Sequence, residues 1–82
     1  MSRWSYKDDF DELERNIARA PRRGRLLDDL TRASDECGPG DRRRALELEI
    51  IAQWWELERG NEISDHHETE VRYKLGLPRA AA

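Results

Sequence analysis

An all-α fold, a compact antiparallel bundle of about four helices whose third helix is central and apolar on two faces, is predicted by three features of the chain. Apolar residues recur in steps of three and four, with no strand-like alternation. Glycine and proline stand where those runs end, at Pro21, at Gly38-Pro39-Gly40, at Gly60 and at Gly76-Leu77-Pro78. The connections left between the runs are short, which favours antiparallel neighbours. The 82 residues suffice for one helical domain, 1–82, which at this size hides only about 60% of the surface that its unfolded chain exposes.

The first helix is expected over 5–20. Tyr6, Phe10, Leu13, Ile17 and Ala20 form a narrow seam in steps of 4, 3, 4 and 3. Ser5 can cap it, Asp8, Asp9, Asp11 and Glu12 crowd the end where the helix dipole favours negative charge, and Arg15 and Arg19 sit near the other end. Pro21 then interrupts the ladder. The second helix is expected after PRRG, over 24–37, with Leu26 (Leu27 beside it), Leu30, Ala33 and Cys37 as its seam. Gly38 in a left-handed conformation, followed by Pro39, would end it.

Asp41 is the expected cap of the third helix, 41–59, which Gly60 ends. On a helical wheel Leu46, Ile50, Trp54 and Leu57 fall within about 80° of one another. Leu48, Ile51, Ala52 and Trp55 cluster on a roughly opposite face, so the adjacent Trp54 and Trp55 belong to different sides. Such a helix is either the central element of a bundle or half core and half interface. The fourth helix is expected over 62–75, capped by Asn61 or Ser64, with Ile63, His67, Val71 and Leu75 in line. Residues 76–82 read as a stop signal and a frayed tail.

Composition narrows the function classes. Apolar residues make up 37% of the chain and charged residues 40%, a balance that calls for a partner or self-association to bury enough surface. The net charge of −3 is too close to neutral to imply a nucleic-acid binder or an acidic tail from the total alone, so the distribution of charge must decide. Cys37 is the single cysteine, so no intramolecular disulfide can form and a reducing compartment is expected. MSRWSYKDDF lacks the apolar run of a secretion signal and no stretch approaches a membrane span, so the expectation is a soluble, cytoplasmic protein.

Chemistry-bearing clusters are few. DHHETE offers His66 and Glu70 one turn apart, with Glu62 extending that face, but lacks the second histidine or cysteine pair of a defined zinc motif. His67 falls in the seam and reads as a partly buried, hydrogen-bonded histidine. Cys37, at a helix C-terminus where the dipole disfavours a thiolate, reads as a packing residue. Ser34, Asp35 and the histidines lack the elbow and oxyanion loop of a hydrolase. No cofactor, metal or catalytic residue is therefore assigned.

Thirteen arginines against two lysines concentrate in RAPRRGR and DRRR. Arg22 and Arg23 and the group Arg42, Arg43, Arg44 belong to opposite poles of an antiparallel bundle, which argues against one continuous basic groove. Asp8, Asp9, Asp11, Glu12 and Glu14 form an acidic patch, the kind of feature also found on proteins that imitate nucleic-acid charge.

The function expected from the sequence is a small non-enzymatic protein–protein interaction module, a regulator, adaptor or inhibitor that acts by occupying a surface of itself, as a homodimer, or of a larger protein. Trp54, Trp55, Leu48 and Ile51, with Trp4, are its expected apolar anchors, and Arg22, Arg23, Arg42 and Arg43 would orient the partner. The alternative is an arginine-dependent nucleic-acid-binding protein. A metal-dependent helical enzyme using Glu62, His66 and Glu70 is the third reading.

Overall fold

The computed structural model describes the backbone of residues 6–80 and the side chains of residues 11–80. Trp4 and Ser5 lie outside the described residues, as do the side chains of Tyr6, Asp8, Asp9 and Phe10. Four helices follow in order, α1 (Tyr6–Arg19), α2 (Pro21–Glu36), α3 (Asp41–Leu57) and α4 (Asp65–Lys74), and no strand occurs among the described residues. The fold is an all-α four-helix bundle. None of its helices is long and apolar enough to cross a membrane.

Helix α2 begins three residues earlier than PRRG suggests, because Pro21 starts it instead of only stopping α1. Proline at the first helical position needs no N–H partner and already has a helical φ. Only Ala20 separates α1 from α2, with φ −131° and ψ 62°. Helix α3 is preceded by Gly40, and Asp41 is its first helical residue, making no capping bond with its side chain. Helix α4 starts at Asp65, capped by Ser64, whose Oγ accepts a 3.1 Å bond from the His67 amide. Residues 61–64 are therefore loop, and Ile63 does not set the phase of α4.

Gly60 and Gly76 end their helices in the expected left-handed conformation, with φ of 71° and 69°. At the first, the Asn61 amide bonds the Glu56 carbonyl at 3.1 Å and the Gly60 amide bonds Leu57 at 2.9 Å. At the second, the Leu77 amide reaches Arg72 at 2.8 Å, and the Leu77 side chain packs against the core. Gly38 does not behave this way. Cys37 itself turns extended, with φ −92° and ψ 134°, and Gly38 needs no positive φ.

These glycines should respond differently to alanine. At Gly60 a Cβ would sit 3.0 Å from Asn16 Oδ1 and add to the left-handed strain, so Gly60→Ala is expected to cost roughly 1–2 kcal/mol. At Gly38 a Cβ meets nothing within 4 Å, and alanine there should be neutral or stabilising by up to roughly 1 kcal/mol through the unfolded chain. Urea midpoints of the two variants check the contrast.

The hub of the bundle is α2, a correction to the expectation that α3 is central. Helix α2 packs extensively on α3 and also touches α1 and α4. Leu26 and Leu30 join Leu46, Ile63 and Val71 in one buried cluster, while Leu27 joins Ala20 and Leu57 in a second. Adjacent leucines point about 100° apart, so the Leu26-Leu27 doublet widens the α2 stripe enough to serve two neighbours. Cys37 is half-buried against the first cluster and Ile50 packs against both.

Cross-helix bonds give the directions. Arg25 reaches Glu68 at 3.2 Å and Asp29 accepts from Arg72 at 2.8 Å, equal steps that make α2 and α4 parallel. Arg23, at the start of α2, donates to the Asn61 carbonyl just past α3 at 2.7 Å, and Arg42, at the start of α3, donates to the Leu75 carbonyl past α4 at 2.8 Å. So α3 runs against both. The Cα extents are 45 × 30 × 16 Å, a slab with room for about two layers of helix.

Candidate docking face on the third helix

Position on the wheel and burial agree along α3. Leu46 and Leu57 are buried and Ile50 is half-buried, so the first apolar face points into the bundle. The opposite face points outward, with Leu48 63%, Ile51 64% and Trp55 60% exposed and Ala52 also exposed. Scattered surface leucines are ordinary, but large apolar residues repeated at steps of 3 and 4 form one continuous strip. Leu48 and Trp55 are separated by about 10 Å along the axis at 1.5 Å per residue.

The two tryptophans divide as the wheel requires. Trp54, 37% exposed, lies at the rim of the core. On one side it lines a groove with Ile17, Pro21, Gly24, Leu27 and Leu57, and on the other a shallower one with Thr31, Ser34, Ile50 and Ile51. Trp55 stands on the outer face. The Arg59 guanidinium lies 4.3 Å from its ring centroid and donates to the Trp55 carbonyl at 2.9 Å, holding a cation over the indole one turn on.

Arg44 and Glu58 lie at the two ends of the strip, both exposed. Neither has an ion-pair partner among the described residues. Glu58 follows α3 with a helical φ of −60° and ψ of −23°, so it continues the helical phase. Beside it, Glu12 and Leu13 of α1 line a shallow groove, and the Asn16 side chain donates to the Glu58 carbonyl at 3.0 Å.

The arginines read as partner contacts are largely engaged within the chain. Arg23 is buried, with its guanidinium on the Gln53 side-chain oxygen and the Asn61 carbonyl. Arg42 bonds the end of α4, and Arg43 lies 3.8 Å from Glu47 one turn on. Arg22 is exposed, while its amide is held by Glu62. Regularity in the sequence does not reveal the uses of Arg22, Arg23 and Arg42, since each depends on a partner 30 or more residues away.

Glu62, grouped with His66 and Glu70 in the metal reading, does something different. Its carboxylate accepts the amides of Arg22 at 2.8 Å and Arg23 at 2.9 Å, and its own neighbour Ile63 at 2.9 Å. It thus caps α2 from another part of the chain, in place of Ala20, which has no side-chain acceptor. Burial pushes this carboxyl up, but the three amides and the Arg22 charge outweigh it and hold the group below its ordinary value of 4.5. His66 and Glu70 pair with each other at 3.0 Å on the exposed side of α4. No group of three or more metal-ligating side chains comes together among the described residues.

A depressed carboxyl stabilises the fold above its unfolded value, and that contribution is lost as pH falls through the folded one. Glu62→Gln should therefore cost about 1 kcal/mol near neutral pH, the usual worth of a helix cap. The gap between variant and wild type should close as the pH drops below about 4.5. Melting temperatures across a pH series check both parts.

The fourth helix corrects a further expectation. His67 is exposed, and the inward positions are taken by Glu68, Val71 and Arg72. Ile63, Val71 and Leu75 of the predicted line do face the core, so His67 alone departs from it, and Glu68 and Arg72 share the inward face with Val71. The i, i+4 spacing of Glu68 and Arg72 was a visible signal of an ion pair, but nothing local marks the pair as buried.

Comparison of the chain with protein-family models, with curated proteins and with solved structures finds no match, so the outer face of α3 is interpreted from its own chemistry.

Proposed function

We propose that this chain is a small, non-enzymatic protein–protein interaction module of the cytoplasm, a regulator, adaptor or inhibitor that works by occupying a surface, with the outer face of α3 as its docking strip. The observation that carries this reading is the row of Leu48, Ile51 and Trp55, each at least 60% exposed, on a helix whose other face supplies the core. A rigid aromatic such as Trp55 concentrates binding energy when a partner excludes water from around it.

The engagement of Arg23, Arg42 and Arg43 within the fold favours a protein partner over nucleic acid, because phosphate binding needs free cations on one surface. A single half-buried thiol suits a reducing compartment.

The test replaces Leu48, Ile51 and Trp55 together by serine. The variant should keep its helical circular dichroism and melt close to wild type, since these side chains contribute little to the monomer core. Chemical crosslinking in cells should lose the complexes that the wild type forms. A variant that retains every wild-type complex, with itself or with another protein, overturns the proposal.

A further inference from the structure

We infer that the occupant of this face is a second copy of the chain, docked with its α3 antiparallel to the first about a two-fold axis beside Ile51; this rests on the reading of the face as a docking strip. The argument starts from the order of residues along it. Arg44, Leu48, Ile51, Trp55 and Glu58 succeed one another in steps of 4, 3, 4 and 3, the repeat of a two-helix seam. A cation begins the row, an anion ends it, and Ile51 stands midway.

A two-fold axis through the middle residue reverses the row. It brings Arg44 of each copy, about 10 Å from the axis at 1.5 Å per residue, towards Glu58 of the other, and Leu48 towards Trp55. Both ends are thereby matched at once. A parallel pairing would place Arg44 against Arg44 and Glu58 against Glu58, so the same face repels itself in that orientation.

The surroundings reinforce the antiparallel match. Beside Glu58, Glu12 lines the same groove, so an incoming Arg44 enters an acidic corner. Arg44 and Glu58 have no ion pairs to give up among the described residues, unlike Arg43 and Glu47. On one flank Ala45 and Ala52 are small and exposed, which lets a second helix approach closely. One helix face is a small interface compared with the roughly 1,200 Å² of the smallest stable complexes. The dimer should therefore dissociate within an accessible dilution series, with a Kd in about the micromolar range.

Sedimentation velocity from about 1 μM to 1 mM should show the mass rising from monomer to dimer. Arg44→Glu alone and Glu58→Arg alone should each weaken the dimer about tenfold at low salt by creating like-charge contacts at both ends. The double variant, Arg44→Glu with Glu58→Arg, should recover it, and Trp55→Ala should weaken it with the helical signal intact. All of these residues are exposed, and circular dichroism of each variant is the check that it is folded.

A wild type that stays monomeric to 1 mM overturns the inference. So does a dimer whose doubly exchanged variant is no tighter than the single ones, or one that Trp55→Ala leaves unchanged. Monomeric behaviour leaves the docking reading standing, because that reading fails only if the serine variant keeps all its complexes in cells.

Discussion

Glu68→Ala is expected to remove about 3–5 kcal/mol of stability, the usual cost of breaking a buried ion pair from one side, which is a large share of what the fold holds. Glu68 is 1% exposed and Arg72 3%. Arg72 Nε donates to Glu68 Oε2 at 3.0 Å, and Nη2 lies 3.0 Å from the same oxygen as an ion-pair contact without hydrogen-bond alignment. Nη1 donates to Asp29 at 2.8 Å and to the Pro78 carbonyl at 3.0 Å. Loss of Glu68 leaves a buried guanidinium with only the half-buried Asp29 carboxylate as counter-charge.

The size of the loss matters because a domain of this length holds on the order of 5–10 kcal/mol in total. The same reasoning predicts the rescue. Replacing both partners by apolar residues, Glu68→Leu with Arg72→Met, removes the desolvation cost together with the attraction and should return most of the lost stability. Urea unfolding followed by circular dichroism separates the cases. A Glu68→Ala variant less than about 1 kcal/mol below wild type would show that the pair is solvated in solution.

The second large effect is a contrast between residues two positions apart. Leu46 is fully buried among Leu26, Leu30, Ile63 and Val71, and Leu46→Ala should cost about 2–5 kcal/mol, the transfer free energy of the lost methyl groups plus the cavity they leave. Leu48 is 63% exposed, and Leu48→Ala should change monomer stability by no more than about 0.5 kcal/mol. Trp54 and Trp55 repeat the contrast more weakly, since Trp54 is 37% exposed and lines a groove with Leu27 and Leu57 whereas Trp55 is 60% exposed. The measurement belongs at protein concentrations well below the micromolar range, where association does not add to the stability of Leu48. Equal losses at Leu46 and Leu48 would mean that both faces of α3 are buried within one chain.

That contrast marks the limit of what periodicity conveys. Two opposite apolar faces on α3 are visible in the residue order, because the wheel depends only on the 100° step between neighbours. Which face points inward depends on α2, whose Leu26-Leu27 doublet was legible as a pair of residues and not as the hub of the bundle. Helix ends behaved similarly. Gly60 and Gly76 were readable because a left-handed terminus is a local preference of glycine. The early start at Pro21 has a local rationale in the proline, but its cap comes from Glu62, some 40 residues away.

The buried polar groups lie furthest from what pattern reading can reach. Arg23, Gln53, Glu68 and Arg72 have ordinary surface compositions around them, and each is inside because its partners stand on another helix or loop. For the proposed site, the strip Leu48, Ile51, Trp55 follows from spacing, whereas the separation of free from engaged arginines required the folded chain.

The residue order alone dictated four helices, most of their ends and a third helix with two apolar sides, since these follow from bonds and propensities within a few residues of each position. The choice of α2 as the hub, the burial of Arg23 and Arg72, the capping of α2 by Glu62 and the outward turn of Trp55 came from the packed bundle. The polar contacts among them join residues 30 to 43 positions apart, the apolar ones join different helices, and a contact of either kind is defined by the geometry of two elements together, which no local pattern in either one encodes.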